Sequence, residues 1–210
     1  MLKVGLTGGI ASGKTAVGEM LVALGAHLIQ ADALAHELMR PGEAVYQEVV
    51  RHFGAGILNT DGTLNRARLA EAAFGDGNQP SRIQELNQIV HPAVVERQNA
   101  WMEEVGRRDA HAITIVEAAL ILEAGAAKHF DRLVVVTCRP EQRIERWAAR
   151  VKVDLDEARR EVMRRMAAQL PDEEKVKAAD YVIDNSGSLD ETREKAAEVY
   201  RQLVAAEKSL

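Results

Sequence analysis

Apolar residues gather in five short runs, at 4–6, 27–29, 113–116, 133–136 and 181–183, and each run is separated from the next by stretches of helical spacing. Runs of three or four residues bounded by polar or turn residues read as strands buried on both faces. Strands alternating with helices in this way predict an α/β fold, a five-stranded parallel sheet between two helical layers. Ligands of such sheets gather at the carboxyl ends of the strands. After the first run, Val17, Met20, Leu21 and Leu24 fall on one helical face, and Gly25 follows where a helix terminates.

Between the first strand and that helix lie Gly8, Gly9, Ile10, Ala11, Ser12, Gly13, Lys14 and Thr15, a G-x-x-x-x-G-K-[ST] loop. Glycines let backbone N–H groups curl around phosphate oxygens, and the helix that follows turns its positive end toward them. Lys14 is expected to bridge the outer phosphates and Thr15 to ligate Mg²⁺. The strand–loop–helix setting makes this a site for ATP or GTP in a three-layer P-loop NTPase fold.

About eighty residues between the second and third strands exceed what one crossover helix needs. Val45, Val49, Val50 and Phe53, then Ile83, Leu86, Val90, Val94 and Val95, mark helices within them. Turns are marked by Gly54-Ala55-Gly56 and Asp61-Gly62. This reads as a helical insertion at about 36–108 that either shapes a second substrate's site or serves only as packing. The segment 139–165 holds eight of the nineteen arginines, among them Arg150 and Arg165. Glu141, Glu145, Glu157 and Glu161 stand three or four residues from several of them, as on a solvated helical face. A helix-loop-helix lid whose arginines close on phosphate is the other reading. An Asp154-x-x-Glu157 start and an apolar stripe of Leu155, Ala158, Val162 and Met166 support two helices there. The chain then divides as one domain: a core of 1–35, 109–138 and 171–210, the insertion, and a lid at about 139–170.

Composition narrows the partners. A net charge of −5 argues against broad nucleic-acid or anionic-membrane binding, and 47% hydrophobic residues suffice for a core. The one cysteine, Cys138, sits in an apolar run and excludes an internal disulfide. The six histidines lack paired ligand spacing, and no apolar run suits a signal peptide or a membrane span. The expected protein is cytoplasmic, a monomer or weak homo-oligomer, with small-molecule partners only.

Asp32 follows the second strand, whose end in phosphate-loop folds faces the γ-phosphate, so its carboxylate is placed to take a proton from an attacking hydroxyl. A helix N-cap before Ala33 is the plainer role. Glu117, ending the third strand, suits the metal side of the site, and Asn185 lies at the end of the fifth. A GTPase switch is excluded: the D-x-x-G at 184–187 lies far from the loop, and no N-K-x-D occurs.

With these residues in hand, the chain resembles the dephospho-CoA kinase family from end to end. The resemblance is carried by the run from Leu6 to Thr15, by Ile29-Gln30-Ala31-Asp32 against the family's D-A-D, and by Leu120-Ile121-Leu122-Glu123. Pro41-Gly42, Phe53-Gly54, Asp61-Gly62, Leu64-Asn65-Arg66, Leu86-Asn87 and His91-Pro92 keep the family's order, followed by Arg165-x-x-x-Gln169 and Asp184-Asn185. The resemblance implies ATP- and Mg²⁺-dependent phosphorylation of the ribose 3′-hydroxyl of dephospho-CoA. Asp32 would be general base, Lys14 and Thr15 would hold phosphate and metal, Arg150 and Arg165 would reach phosphate from the lid, and Asn185 would lie by adenine. Two departures touch the acceptor side: Gln30 replaces the first acid of D-A-D, and Ala119 replaces a proline. They leave open an alternative acceptor, another small alcohol or nucleoside. A module that binds ATP without turnover is the reading from a different class.

Overall fold

Five strands, β1 (Leu2–Gly8), β2 (His27–Gln30), β3 (Ile113–Glu117), β4 (Arg132–Thr137) and β5 (Tyr181–Asp184), form one parallel sheet in the order β2-β3-β1-β4-β5. The structure is a computed structural model and describes residues 1–75 and 80–209. Residues 76–79 of the expected insertion and residue 210 of the expected core lie outside the described residues. The helices are α1 (Lys14–Ala23), α2 (Ala31–Leu38), α3 (Ala44–Phe53), α4 (Arg66–Phe74), α5 (Ile83–Arg108), α6 (Pro140–Val151), α7 (Leu155–Ala167), α8 (Asp172–Ala178) and α9 (Leu189–Glu207).

The period-two geometry of a strand assigns each face. Leu2, Val4 and Leu6 of β1, Ile113 and Ile115 of β3, and Val134 and Val136 of β4 turn to one side. There they pack with Val17 and Leu21 of α1 and Ala196, Val199 and Leu203 of α9. Leu133 and Val135 turn to the other side, against Ile121 and the partly buried Phe130 and Ala179. Each fully buried leucine or isoleucine here contributes about 1.5–3 kcal/mol. Gly5 is the small residue of β1 on that second side, where Phe130 and Leu133 leave no space for a larger one.

Parallel register places the functional ends together. Leu6 pairs with Glu117, and Gly8 pairs with Val136. The ladder continues past the strands through Ala118 N–H to Leu6 O (3.1 Å) and Asn185 N–H to Thr137 O (2.8 Å). The exits of β1, β3, β4 and β5 therefore lie along one edge. Gly25 ends α1 as its sequence position predicts. Its φ is +114°, its N–H reaches Val22 O at 2.9 Å, and the Ala26 N–H reaches Leu21 O at 3.0 Å, the paired bonds of a Schellman cap.

The chain forms two compact units, Met1–Ile29 with Met102–Leu210, and Gln30–Trp101, the boundaries falling at the end of β2 and inside α5. Within the second unit, Leu58 and Leu64 form an antiparallel bridge around the Asp61-Gly62 turn. The turn is held by Asp61 Oδ1, which accepts from the Thr63 N–H at 2.9 Å and its hydroxyl at 2.6 Å. Asn65 caps α4 by accepting the Arg68 N–H at 3.1 Å. α5 runs unbroken through Pro92, and Val90 and Val94 are buried along it.

Candidate active site

The phosphate loop is shaped by what surrounds its glycines. A Cβ on Gly8 would meet the Val136 carbonyl, one on Gly9 the Arg143 guanidinium, and one on Gly13 the Asn185 amide. Gly13 also holds φ at +94°, where a side chain is strained. Ala11 sits in the left-handed region at φ +53° without being glycine, at a cost of roughly 1–2 kcal/mol. Such strain belongs to functional loops that their surroundings over-determine. Here the surroundings include Cys138, whose thiol points to Ala11 O at 3.8 Å. Burial pushes that thiol's pKa up, against the pull of Arg143 and Arg146, in keeping with a packing role.

Across this loop lies Lys14, its Nζ donating to Gly8 O at 3.0 Å and to Gly9 O at 3.1 Å. Beside it the Thr15 hydroxyl donates to Oε1 of the buried Glu117 at 2.8 Å. The Thr7 hydroxyl donates to Ala119 O at 3.2 Å, so the segment after β3 is tied to β1 without the proline of the family pattern.

Asn185 braces the loop from the β5 side. Its Nδ2 donates to Ser12 O at 2.8 Å, its Oδ1 accepts the Thr192 hydroxyl at 3.0 Å, and it is 8% exposed. Arg146 joins the same brace, with Nη1 on Ser12 O at 3.2 Å and Nη2 on Asn185 O at 2.8 Å. Arg143 is 1% exposed, pressed against Gly9 and paired with Asp172. Neither residue is among those the sequence singles out for the site. The available signal was their spacing, since 143, 146 and 150 form one stripe of α6.

Arg150 and Arg165 are placed otherwise. Each guanidinium lies 4.6 Å from the centroid of the Trp147 ring, so both cations share one indole. Glu161 offsets that charge, accepting from Arg164 Nε at 2.9 Å and Arg165 Nε at 2.5 Å. Ala158 and Val162 of the predicted stripe are buried with Ile10, Ile144 and Ala148, whereas Leu155, at the open first position of α7, is 57% exposed. Asp154 caps α7 as predicted, accepting the Glu157 N–H at 2.8 Å.

Asp32 belongs to the Gln30–Trp101 unit, where it is exposed on the first turn of α2. Helix α2 starts at Ala31 with Gln30 as N-cap, which corrects the expectation that Asp32 itself caps a helix beginning at Ala33. β2 runs straight into α2, so no residue is left between them for a side-chain cap.

A parallel sheet whose first strand turns through a phosphate loop into α1, with arginine-rich helices following β4, defines a P-loop kinase. Within that class the assignment is direct. The family model for dephospho-CoA kinase matches residues 2–191, and this chain belongs to that family. A curated dephospho-CoA kinase of Aquifex aeolicus is 40% identical over 204 residues, covering 97% of this chain and 98% of its own length. Among solved structures, TT1252 from Thermus thermophilus superposes with a TM-score of 0.78 at 32% identity, covering 96% of each chain. The dephospho-CoA kinase from Campylobacter jejuni shares the fold, with a TM-score of 0.60 at 22% identity over 96% of each chain. The protein is a kinase that transfers phosphate to an alcohol. Among the described residues, no helix is long and apolar enough to cross a membrane.

Proposed function

We propose that this protein phosphorylates the ribose 3′-hydroxyl of dephospho-CoA with ATP, completing coenzyme A. The observation that carries the reading is the loop itself, with Lys14 across it and Thr15 against Glu117, in a chain that matches the family over nearly its whole length. Loop N–H groups and Lys14 bind and orient the β- and γ-phosphates. Asp32 takes the proton of the 3′-hydroxyl as its oxygen bonds to the γ-phosphorus and the bond to ADP breaks.

Mg²⁺ fits the donors present: a hydroxyl and a carboxylate 2.8 Å apart are hard oxygen ligands, and Mg²⁺ takes few protein ligands beside phosphates and waters. Thr15 would hold the ion with Glu117 behind it, and when bound it neutralises charge on the phosphates. Arg150 and Arg165, on the α6–α7 lid, swing from Trp147 to the phosphates when the lid closes. The turn after β5 borders adenine, with Asn185 holding the loop through Ser12. The insertion, about 36–108, carries the acceptor.

Purified protein with ATP, Mg²⁺ and dephospho-CoA is expected to yield ADP and CoA, read by coupled ADP assay and mass spectrometry. No ADP above the acceptor-free background sinks the reading. A panel of nucleosides and small alcohols tests whether Gln30 and Ala119 have changed the acceptor.

A further inference from the structure

The segment that follows α7 is bound to the phosphate loop more closely than a solvated helix end requires. Gln169, just past the cap of α7, accepts the Ile10 N–H on Oε1 at 3.2 Å. Ile10 is a loop residue, and its side chain is buried, 7% exposed, in the apolar core of α6 and α7. The next residue, Leu170, gives its N–H to Glu123 Oε1 at 3.0 Å, and the same oxygen pairs with Lys175 at 2.8 Å. Asp172 pairs with Arg143, which lies against Gly9. Residues 169–175 thus form a strap anchored on the loop itself, on Arg143 against Gly9, and on Glu123.

A backbone N–H in such a loop is suited to an anionic oxygen. A carboxamide oxygen satisfies it only as a neutral acceptor, and a phosphate oxygen bonds roughly twice as strongly. We propose that Gln169 is a positioning residue of the phosphate loop. Its carboxamide oxygen holds the Ile10 N–H while no phosphate is bound and yields it to a phosphate oxygen of the nucleotide. Phosphate occupancy thereby frees the strap's anchor on the loop, while those on Glu123 and Arg143 remain. The proposal rests on the loop being the nucleotide site.

The test titrates ADP and, separately, adenosine into wild type, Gln169→Met, which keeps the length without the oxygen, and Gln169→Glu. Gln169→Ala repeats the deletion should the methionine variant not fold. Removing an acceptor that ADP must displace is expected to tighten ADP binding by about two- to tenfold and leave adenosine unchanged. Gln169→Glu is expected to weaken ADP binding through repulsion. In ¹⁵N–¹H spectra the Ile10 amide is expected to differ between wild type and Gln169→Met when free and to coincide when both are saturated with ADP. Unchanged or weaker ADP binding by Gln169→Met, or an Ile10 resonance still different under saturating ADP, overturns the proposal. Wild type that fails to bind ADP at all overturns the nucleotide-site reading, and this one with it.

Discussion

The hydroxyl of Thr15 donates to Oε1 of Glu117 at 2.8 Å, so the second residue of α1 meets the last residue of β3 beside the phosphate loop. Parallel register is what brings them together: β1 and β3 pair with Leu6 opposite Glu117, and β1 then leads through the loop into α1. A carboxylate that orients a metal-ligating hydroxyl sets the affinity for the ion, and loss of such a partner typically costs 10- to 100-fold. Glu117→Gln is therefore expected to raise the Mg²⁺ concentration for half-maximal activity by about tenfold or more. Activity measured against Mg²⁺ at saturating ATP checks this; an unchanged midpoint removes Glu117 from the metal side.

Asp32 is exposed on the first turn of α2, a position at which its side chain carries no packing duty. Its replacement is a test of chemistry with little risk to folding. Asp32→Asn is expected to lower turnover by on the order of 100-fold or more while ATP binding stays within about twofold, since a positioned base contributes 10²–10⁴. Acceptor-dependent ADP release and a direct ATP titration give the two numbers. Equal turnover in variant and wild type rejects Asp32 as the base.

The strands and the loop were legible because their signals are local. Short apolar runs and G-x-x-x-x-G-K-T each require only neighbours in sequence, and all five strands lie where those runs predict. The brace around the loop is different in kind. Arg146 contacts Ser12 and Asn185, residues 134 and 39 positions away, and its spacing with Arg143 and Arg150 marks a stripe of α6 without saying what that stripe touches. The start of α2 departs from the sequence expectation for a local reason: an aspartate after a strand looks like a cap, yet β2 ends on Gln30, which is itself the N-cap of α2. Leu155 fits the apolar spacing of α7, but a residue at the first turn lies beyond the edge of the packed face.

Gly13 and Gly42 have similar backbone conformations in φ, +94° and +100°, but different surroundings. A Cβ on Gly42 meets nothing within 4 Å, whereas one on Gly13 overlaps the Asn185 amide. Gly42→Ala is expected to cost only the strain of positive φ, about 1–2 kcal/mol. Gly13→Ala carries the same strain and must also push Asn185 off Ser12 and Thr192, so it is expected to be the more destabilising and to abolish nucleotide binding. Denaturant titrations of both variants, with ADP binding, separate backbone strain from loss of the brace. Equal destabilisation would show that Asn185 moves aside freely.

Glu161 supplies a prediction about acid. Its hydrogen bonds to Arg164, and then to Arg165, outweigh the opposing effect of burial and bring its carboxyl from 4.5 down to about 2. A carboxyl depressed in the folded state stabilises fully above its unfolded pKa, and that contribution is lost as pH falls from about 4.5 to about 2. Arg164 is 70% exposed and Arg165 46%, so solvent screening keeps the contribution small. The difference in Tm between wild type and Glu161→Gln is expected to be modest at pH 7 and to shrink toward zero near pH 2, with a ¹³C carboxyl titration placing the midpoint near 2. A Tm difference that persists unchanged at pH 2 would assign the contribution of Glu161 to packing instead of charge.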